Sequence, residues 1–154
     1  MPFWKKDLQT LKKNGFHSMK KLQVWISACR LRTLPLSISG TIVGSGVAYS
    51  MSFFNLTIFV FTILTTLSFQ ILSNLANDYG DGVKGTDNQN RIGPERALQS
   101  GVISPKQMRN AIIFNVITCL LLVITLIYQA FGADQFFTSF IFIVLGIIAI
   151  TAAI

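Results

Sequence analysis

Three stretches of the chain contain no charged residue: 33–77, 110–133 and 135–154. A membrane-spanning helix needs about 20 predominantly apolar residues, so the first stretch predicts two spans and the others one each. The turn inside the first falls at Phe53-Phe54-Asn55-Leu56, where Asn55 is the polar residue nearest its middle. Span one begins near Leu34-Pro35, proline suiting the first turn of a helix. It carries Gly40, Gly44 and Ala48 at four-residue intervals, a small-residue seam that lets another helix approach closely. Span two covers residues 56–76, with Asn74 near its end facing a polar interior. Ser104-Pro105-Lys106-Gln107 opens span three: Ser104 caps, Gln107 completes a capping box and Pro105 takes the first helical position. Span four covers 136–154 and is still apolar at Ile154. Polar or basic residues normally close a span, so the chain is expected to be truncated. The fold class predicted is all-α, a polytopic membrane helical bundle of about four transmembrane helices.

Composition agrees: 51% of residues are hydrophobic and 12% charged, against about a quarter charged in a soluble domain. The formal charge of +7 is unevenly spread. Eight Lys/Arg precede Thr33 and the other five lie in 77–109, while the connections around Asn55 and Gly132-Ala133-Asp134 have none. By the positive-inside rule the N-terminus and the 77–109 segment share the cytoplasmic side of the membrane. Residues 1–24 read as a basic cytoplasmic leader. Trp4, Leu8 and Leu11, then Phe16, Met19, Leu22 and Ile26, give it weakly amphipathic faces that suit a membrane lipid surface; a basic tail that only sets topology fits equally well. Positive charge flanking spans is no nucleic-acid footprint. Cys29, Cys119 and His17 have neither the spacing nor the partners of a metal or disulfide site.

Four of the six acidic residues, Asp78, Asp81, Asp87 and Glu95, are crowded just past span two. Carboxylates at the mouth of a span need a cation, and a divalent cation there suggests a phosphate or diphosphate substrate. If the helix of span two continues, Asp78 and Asp81 at i, i+3 project from one face and can share Mg2+ with substrate oxygens. Gly80, Gly82 and Gly85 would loosen the helix so that Asp87 returns to the same site. Lys84, Arg91 and Arg96 are cations for diphosphate oxygens. A solvated loop pairing its own charges is the alternative, and the ligand spacing of an EF-hand is missing.

Asn77-Asp78-x-x-Asp81 with a further aspartate resembles the first aspartate-rich motif of the UbiA superfamily of intramembrane prenyltransferases. The runs Asn74-Leu75-Ala76-Asn77-Asp78-Tyr79-Gly80-Asp81, Lys84-Gly85-Thr86-Asp87, Arg91-Ile92-Gly93-Pro94 through Arg96, and Gln99-Ser100-Gly101-Val102-Ile103-Ser104 are similar to the branch that prenylates 1,4-dihydroxy-2-naphthoate. The longer interval from Asp81 to Asp87 separates it from the branch acting on 4-hydroxybenzoate. Arg30-Leu31-Arg32-Thr33-Leu34-Pro35 resembles the approach to that family's first helix, with Leu31 in place of its usual proline.

The resemblance implies a transfer from a polyprenyl diphosphate to 1,4-dihydroxy-2-naphthoate with decarboxylation, giving demethylmenaquinone. It implies Asp78 and Asp81 as catalytic metal ligands, Asn77 and Asp87 as further metal-site groups, and Lys84, Arg91, Arg96 and Arg30 around the diphosphate. Family members have about nine helices and a second aspartate-rich motif. Residues 25–154 are therefore expected to be the N-terminal part of such a domain, inactive alone. A CDP-alcohol phosphotransferase is a poor rival, because Asp81-Gly82 is followed by Val83-Lys84-Gly85-Thr86 where that signature needs Ala-Arg. A non-enzymatic four-helix scaffold stays open.

Overall fold

The computed structural model describes residues 20–84 and 96–154. The leader residues before Lys20, and with them Trp4, Leu8, Leu11, Phe16, His17 and Met19, lie outside the described residues, as do Gly85, Asp87, Arg91 and Glu95. Helix α1 covers residues 20–29 and is followed by a single 3-10 turn at Leu31–Thr33. Four helices follow: α2 (Leu34–Ser50), α3 (Leu56–Lys84), α4 (Pro105–Phe131) and α5 (Phe136–Ala152). There is no strand among the described residues.

A helix thus occupies each predicted span. The turn falls at the expected place, where Asn55 Oδ1 accepts from Ile58 N at 3.1 Å and caps α3. The Ser104–Gln107 capping box is also formed, with Pro105 in the first turn of α4. Helices α3 and α4 are long and apolar enough to cross a membrane. At 17 residues each, α2 and α5 are about 25 Å long and sit at the lower bound for a span. Helix α3 has 29 residues, about 44 Å, against a hydrocarbon core of about 30 Å. The surplus of about 14 Å is close to the length of its polar end from Asn77 to Lys84, so the acidic motif stands beyond the apolar part of its own helix.

The main packing runs from α2 to α3, α3 to α4 and α4 to α5, most extensively between α3 and α4. Polar side chains join these helices in a medium where hydrophobicity cannot. Ser68 Oγ donates to Asn115 Oδ1 at 2.8 Å, Asn115 Nδ2 donates back to the Ser68 carbonyl at 3.1 Å, and Thr41 Oγ1 meets Thr66 Oγ1 at 3.2 Å. At Gly146 a Cβ would stand 2.7 Å from Val123 Cγ1, so the absent side chain is what lets α5 cross α4. A Cβ at Gly40 or Gly44 would meet nothing within 4 Å; no described helix sits on that seam.

Burial concentrates at one end of the bundle. Leu72, Leu75 and Ala76 of α3, Met108 and Ile112 of α4, Ala28 of α1, and Ala97 and Ile103 of the connecting segment are buried. Elsewhere Val43, Phe114, Leu121 and Phe137 point outward, as lipid permits. The packed end is the end that carries the acidic motif.

Candidate functional site

Helix α3 continues unbroken through Gly80 and Gly82 to Lys84. The expected loosening at these two glycines does not occur, because glycine costs a helix only about 1 kcal/mol each and Gly82 is used for packing. A Cβ there would lie 2.7 Å from Leu98 Cδ1 and 2.9 Å from Leu98 Cβ. The segment from Arg96 to Ser104 therefore lies directly on the last turns of α3.

That segment is folded tightly by its own bonds. Ser100 N donates to the Arg96 carbonyl at 3.0 Å and Gly101 N to the Leu98 carbonyl at 3.1 Å. Ser100 Oγ donates to the Ala97 carbonyl at 2.7 Å, and Gly101 takes the left-handed conformation, φ 66°, that closes the turn. Hydrogen bonds and an ion pair tie it to the acidic motif. Ala97 N donates to Asp78 Oδ2 at 3.2 Å, and the Arg96 guanidinium pairs with the Asp81 carboxylate. Arg96 Nη1 also donates to the Asn77 carbonyl at 3.3 Å. Asp78 is buried, at 3% exposure; Asp81 is 39% exposed.

The third wall is the corner between α1 and α2. Arg30 sits there in the left-handed region, φ 48° and ψ 56°, a conformation that costs a non-glycine residue about 1–2 kcal/mol. Its carbonyl accepts from Thr33 N at 2.8 Å and from Thr33 Oγ1 at 2.9 Å. The corner, the Arg96 segment and α3 enclose a cavity of about 550 Å³ whose lining includes Arg30, Arg32, Thr33, Asp78, Arg96 and Ala97. Burial pushes the Arg96 guanidinium below its ordinary value, the charge of Arg30 pushes in the same direction, and Asp78 opposes them. Arginine stays cationic under such pressure, so the cavity concentrates positive charge beside two carboxylates.

Of the expected site residues, Asp78, Asp81, Arg96 and Arg30 are brought together. Asn77 enters through its carbonyl, its side chain belonging to an exposed residue. Lys84 is exposed at the end of α3 and is not part of the cavity lining; Asp87 and Arg91 lie outside the described residues. Among the described residues no group of three or more His, Cys, Asp or Glu could hold a metal ion. The donor set on α3 is two carboxylates one turn apart, and the Arg96 cation already pairs with one of them. Such a set suits a hard divalent ion completed by phosphate oxygens. Sequence reasoning missed the roles of Thr33, Leu98 and the Ala97 amide, contacts between segments far apart in the chain. It noted Asn74 only as facing a polar interior, although its spacing of four from Asp78 places both on one helix face.

Residues 37–154 match the UbiA prenyltransferase family. The chain is 39% identical over 136 residues to the 1,4-dihydroxy-2-naphthoate octaprenyltransferase of Escherichia coli, covering 88% of this chain and 44% of that protein. It is 41% identical over 137 residues to the protein of the same name from Haemophilus influenzae, again covering 88% and 44%. With the one from Mycobacterium tuberculosis it shares 32% over 93 residues, 60% of this chain and 32% of that protein. The chain thus spans less than half the length of these relatives. No solved structure matches it.

Proposed function

Because this chain belongs to the UbiA prenyltransferase family, we propose that its 154 residues supply the first diphosphate-binding half of a prenyltransferase that acts on 1,4-dihydroxy-2-naphthoate. The observation that carries the reading is the convergence of Asp78, Arg96 and Arg30 on one 550 Å³ cavity, with Asp81 paired to Arg96 beside it. In the reaction the C–O bond between the allylic carbon and the diphosphate breaks. A C–C bond then forms at the ring carbon bearing the carboxylate, which leaves as carbon dioxide while its electron pair restores the aromatic ring. The product keeps both ring hydroxyls and is demethylmenaquinol, the hydroquinone form of demethylmenaquinone. Asp78 and Asp81 would hold Mg2+, with Asn77 and Asp87 as further metal-site groups by the family resemblance, and its charge would stabilise the departing diphosphate.

The chain's own residues do the rest. Arg30 and Arg96 bind the diphosphate oxygens, and Arg96 exchanges its pairing with Asp81 for a pairing with substrate. Lys84, exposed at the end of α3, and Arg91, outside the described residues, are the further cations proposed for the diphosphate. The apolar surfaces of α3 and α4 face lipid, from which a polyprenyl chain can reach the site without crossing water. The positive-inside rule supports a site opening to the cytoplasmic face of a bacterial plasma (inner) membrane, because all thirteen Lys/Arg fall before Thr33 or within 77–109 of the sequence. Turnover requires cations on both sides of the leaving group, and the one acid outside the 78–95 cluster and the leader, Asp134, lies beyond the far end of α4. The 154 residues alone therefore bind without turning over.

Calorimetry on the chain in lipid nanodiscs tests the reading, with geranyl diphosphate as the probe. Magnesium-dependent binding that is lost in Asp81→Ala is expected. Binding indifferent to both magnesium and Asp81 would leave the acidic segment a docking surface of a membrane scaffold.

A further inference from the structure

Asn74 is 3% exposed and its side-chain amide is fully engaged. Nδ2 donates to the Cys29 carbonyl at 3.0 Å and to Thr33 Oγ1 at 3.4 Å, while Oδ1 accepts from Gln70 Nε2 at 3.3 Å. The two Nδ2 bonds cross from α3 to the two sides of Arg30, while the Gln70 bond stays within α3. Cys29 precedes it, and Thr33 binds the Arg30 carbonyl through both N and Oγ1. Between these anchors Arg30 is kept in its left-handed conformation, lining the same cavity as Asp78 and Arg96.

We propose that Asn74 is a positioning residue: its amide clamps the α1–α2 corner to α3 and thereby sets Arg30 over the anion cavity. The proposal rests on the diphosphate reading of that cavity. Arg30 and Arg96 line one cavity although the charge of Arg30 weighs on Arg96, so holding Arg30 there works against the repulsion between the two guanidinium groups. A corner free to relax would carry Arg30 away from Arg96; the clamp prevents this. Asn74 and Asp78 are four residues apart and so lie on one face of α3. One rigid helix then fixes the spacing between the carboxylate side of the site and its guanidinium side, whatever the loops do. The residue types fit: only an amide can donate twice and accept once at this position, and a leucine of similar size can do neither.

The test is a double-mutant cycle on the chain in nanodiscs, with magnesium pyrophosphate as the probe. Asn74→Leu and Arg30→Ala should each weaken binding by about tenfold, the cost of one charge-assisted contact. The double variant should bind no more weakly than Arg30→Ala alone, because the clamp acts only through Arg30. A loss from Asn74→Leu that persists undiminished in the Arg30→Ala background would show general damage and overturn the proposal. So would wild-type affinity in Asn74→Leu when Arg30→Ala has lost it, and that outcome leaves the diphosphate reading intact. Wild-type affinity in both Arg30→Ala and Arg96→Ala would remove the anion site itself. If Asn74→Leu does not insert, Thr33→Val probes the same clamp from its other side and should show the same dependence on Arg30.

Discussion

Gly82→Ala sets two simple rules against each other. Helix propensity alone says that alanine inside α3 should stabilise the helix by about 1 kcal/mol. The packing says the opposite. The new Cβ would stand 2.7 Å from Leu98 Cδ1 and 2.9 Å from Leu98 Cβ, where ordinary contact begins at 3.4 Å. Rotation of the leucine can move its Cδ1 aside, but Cβ moves only with the backbone, which must retreat by about 0.5 Å to restore ordinary contact. The neighbouring bond from Ala97 N to Asp78 Oδ2 is already 3.2 Å long; lengthened by that amount it passes the limit of a hydrogen bond. Asp78 is buried, so the loss is felt almost in full, about 1.5–3 kcal/mol for a bond to a charged group. Set against the propensity gain, the Arg96–Ser104 segment should dock less stably by about 0.5–2 kcal/mol. Hydrogen exchange read by mass spectrometry on residues 97–101 should then quicken by about 2- to 30-fold. Leu98→Gly removes both contacts, so Gly82→Ala made on that background should show the propensity gain alone. Slower exchange in the single Gly82→Ala variant would refute the claim that this glycine exists for the Leu98 contact.

In a version of the protein with the full length of its relatives, Asp81→Ala or Asp78→Ala should abolish prenyl transfer while leaving membrane insertion intact. A loss worth about 3–4 kcal/mol of transition-state stabilisation is expected, and near-normal turnover at saturating magnesium would refute it. The chain itself, assayed with magnesium, dihydroxynaphthoate and a polyprenyl diphosphate, should give no product; turnover near that of an intact relative would mean that two copies complete one site. Cysteines placed at Ser100 and Ala133 should label from opposite sides of the membrane, Ser100 from the cytoplasm, and periplasmic labelling of Ser100 would reverse the topology. Ser68→Ala removes a hydroxyl that bridges to Asn115 and Cys119. It should cost about 0.6 kcal/mol, at most about 1.7, in unfolding from bicelles.

Helix positions were legible in the sequence because lipid makes local pattern decisive. A segment with no water to bond to must satisfy its own backbone, so uncharged length between polar turns locates each helix. The turn at Asn55 and the cap at Ser104 are local chemistry, readable within four residues. Asp78 and Asp81 also announced themselves, since carboxylates beside a span demand a cation. What residues 74–84 could not reveal alone is which side chains face them. That position 82 has no room for a Cβ is decided by Leu98, sixteen residues further along the chain. The pairing of Arg96 with Asp81 and the clamp from Asn74 to Cys29 and Thr33 join segments fifteen to forty-five residues apart. Such contacts depend on how helices cross and where a loop folds back, and no short-range periodicity encodes them. The sequence alone determined that its uncharged stretches form apolar helices beside an acidic motif; only the tertiary structure decided that Arg30 and Arg96 line one cavity with Asp78, because that depends on how distant segments pack.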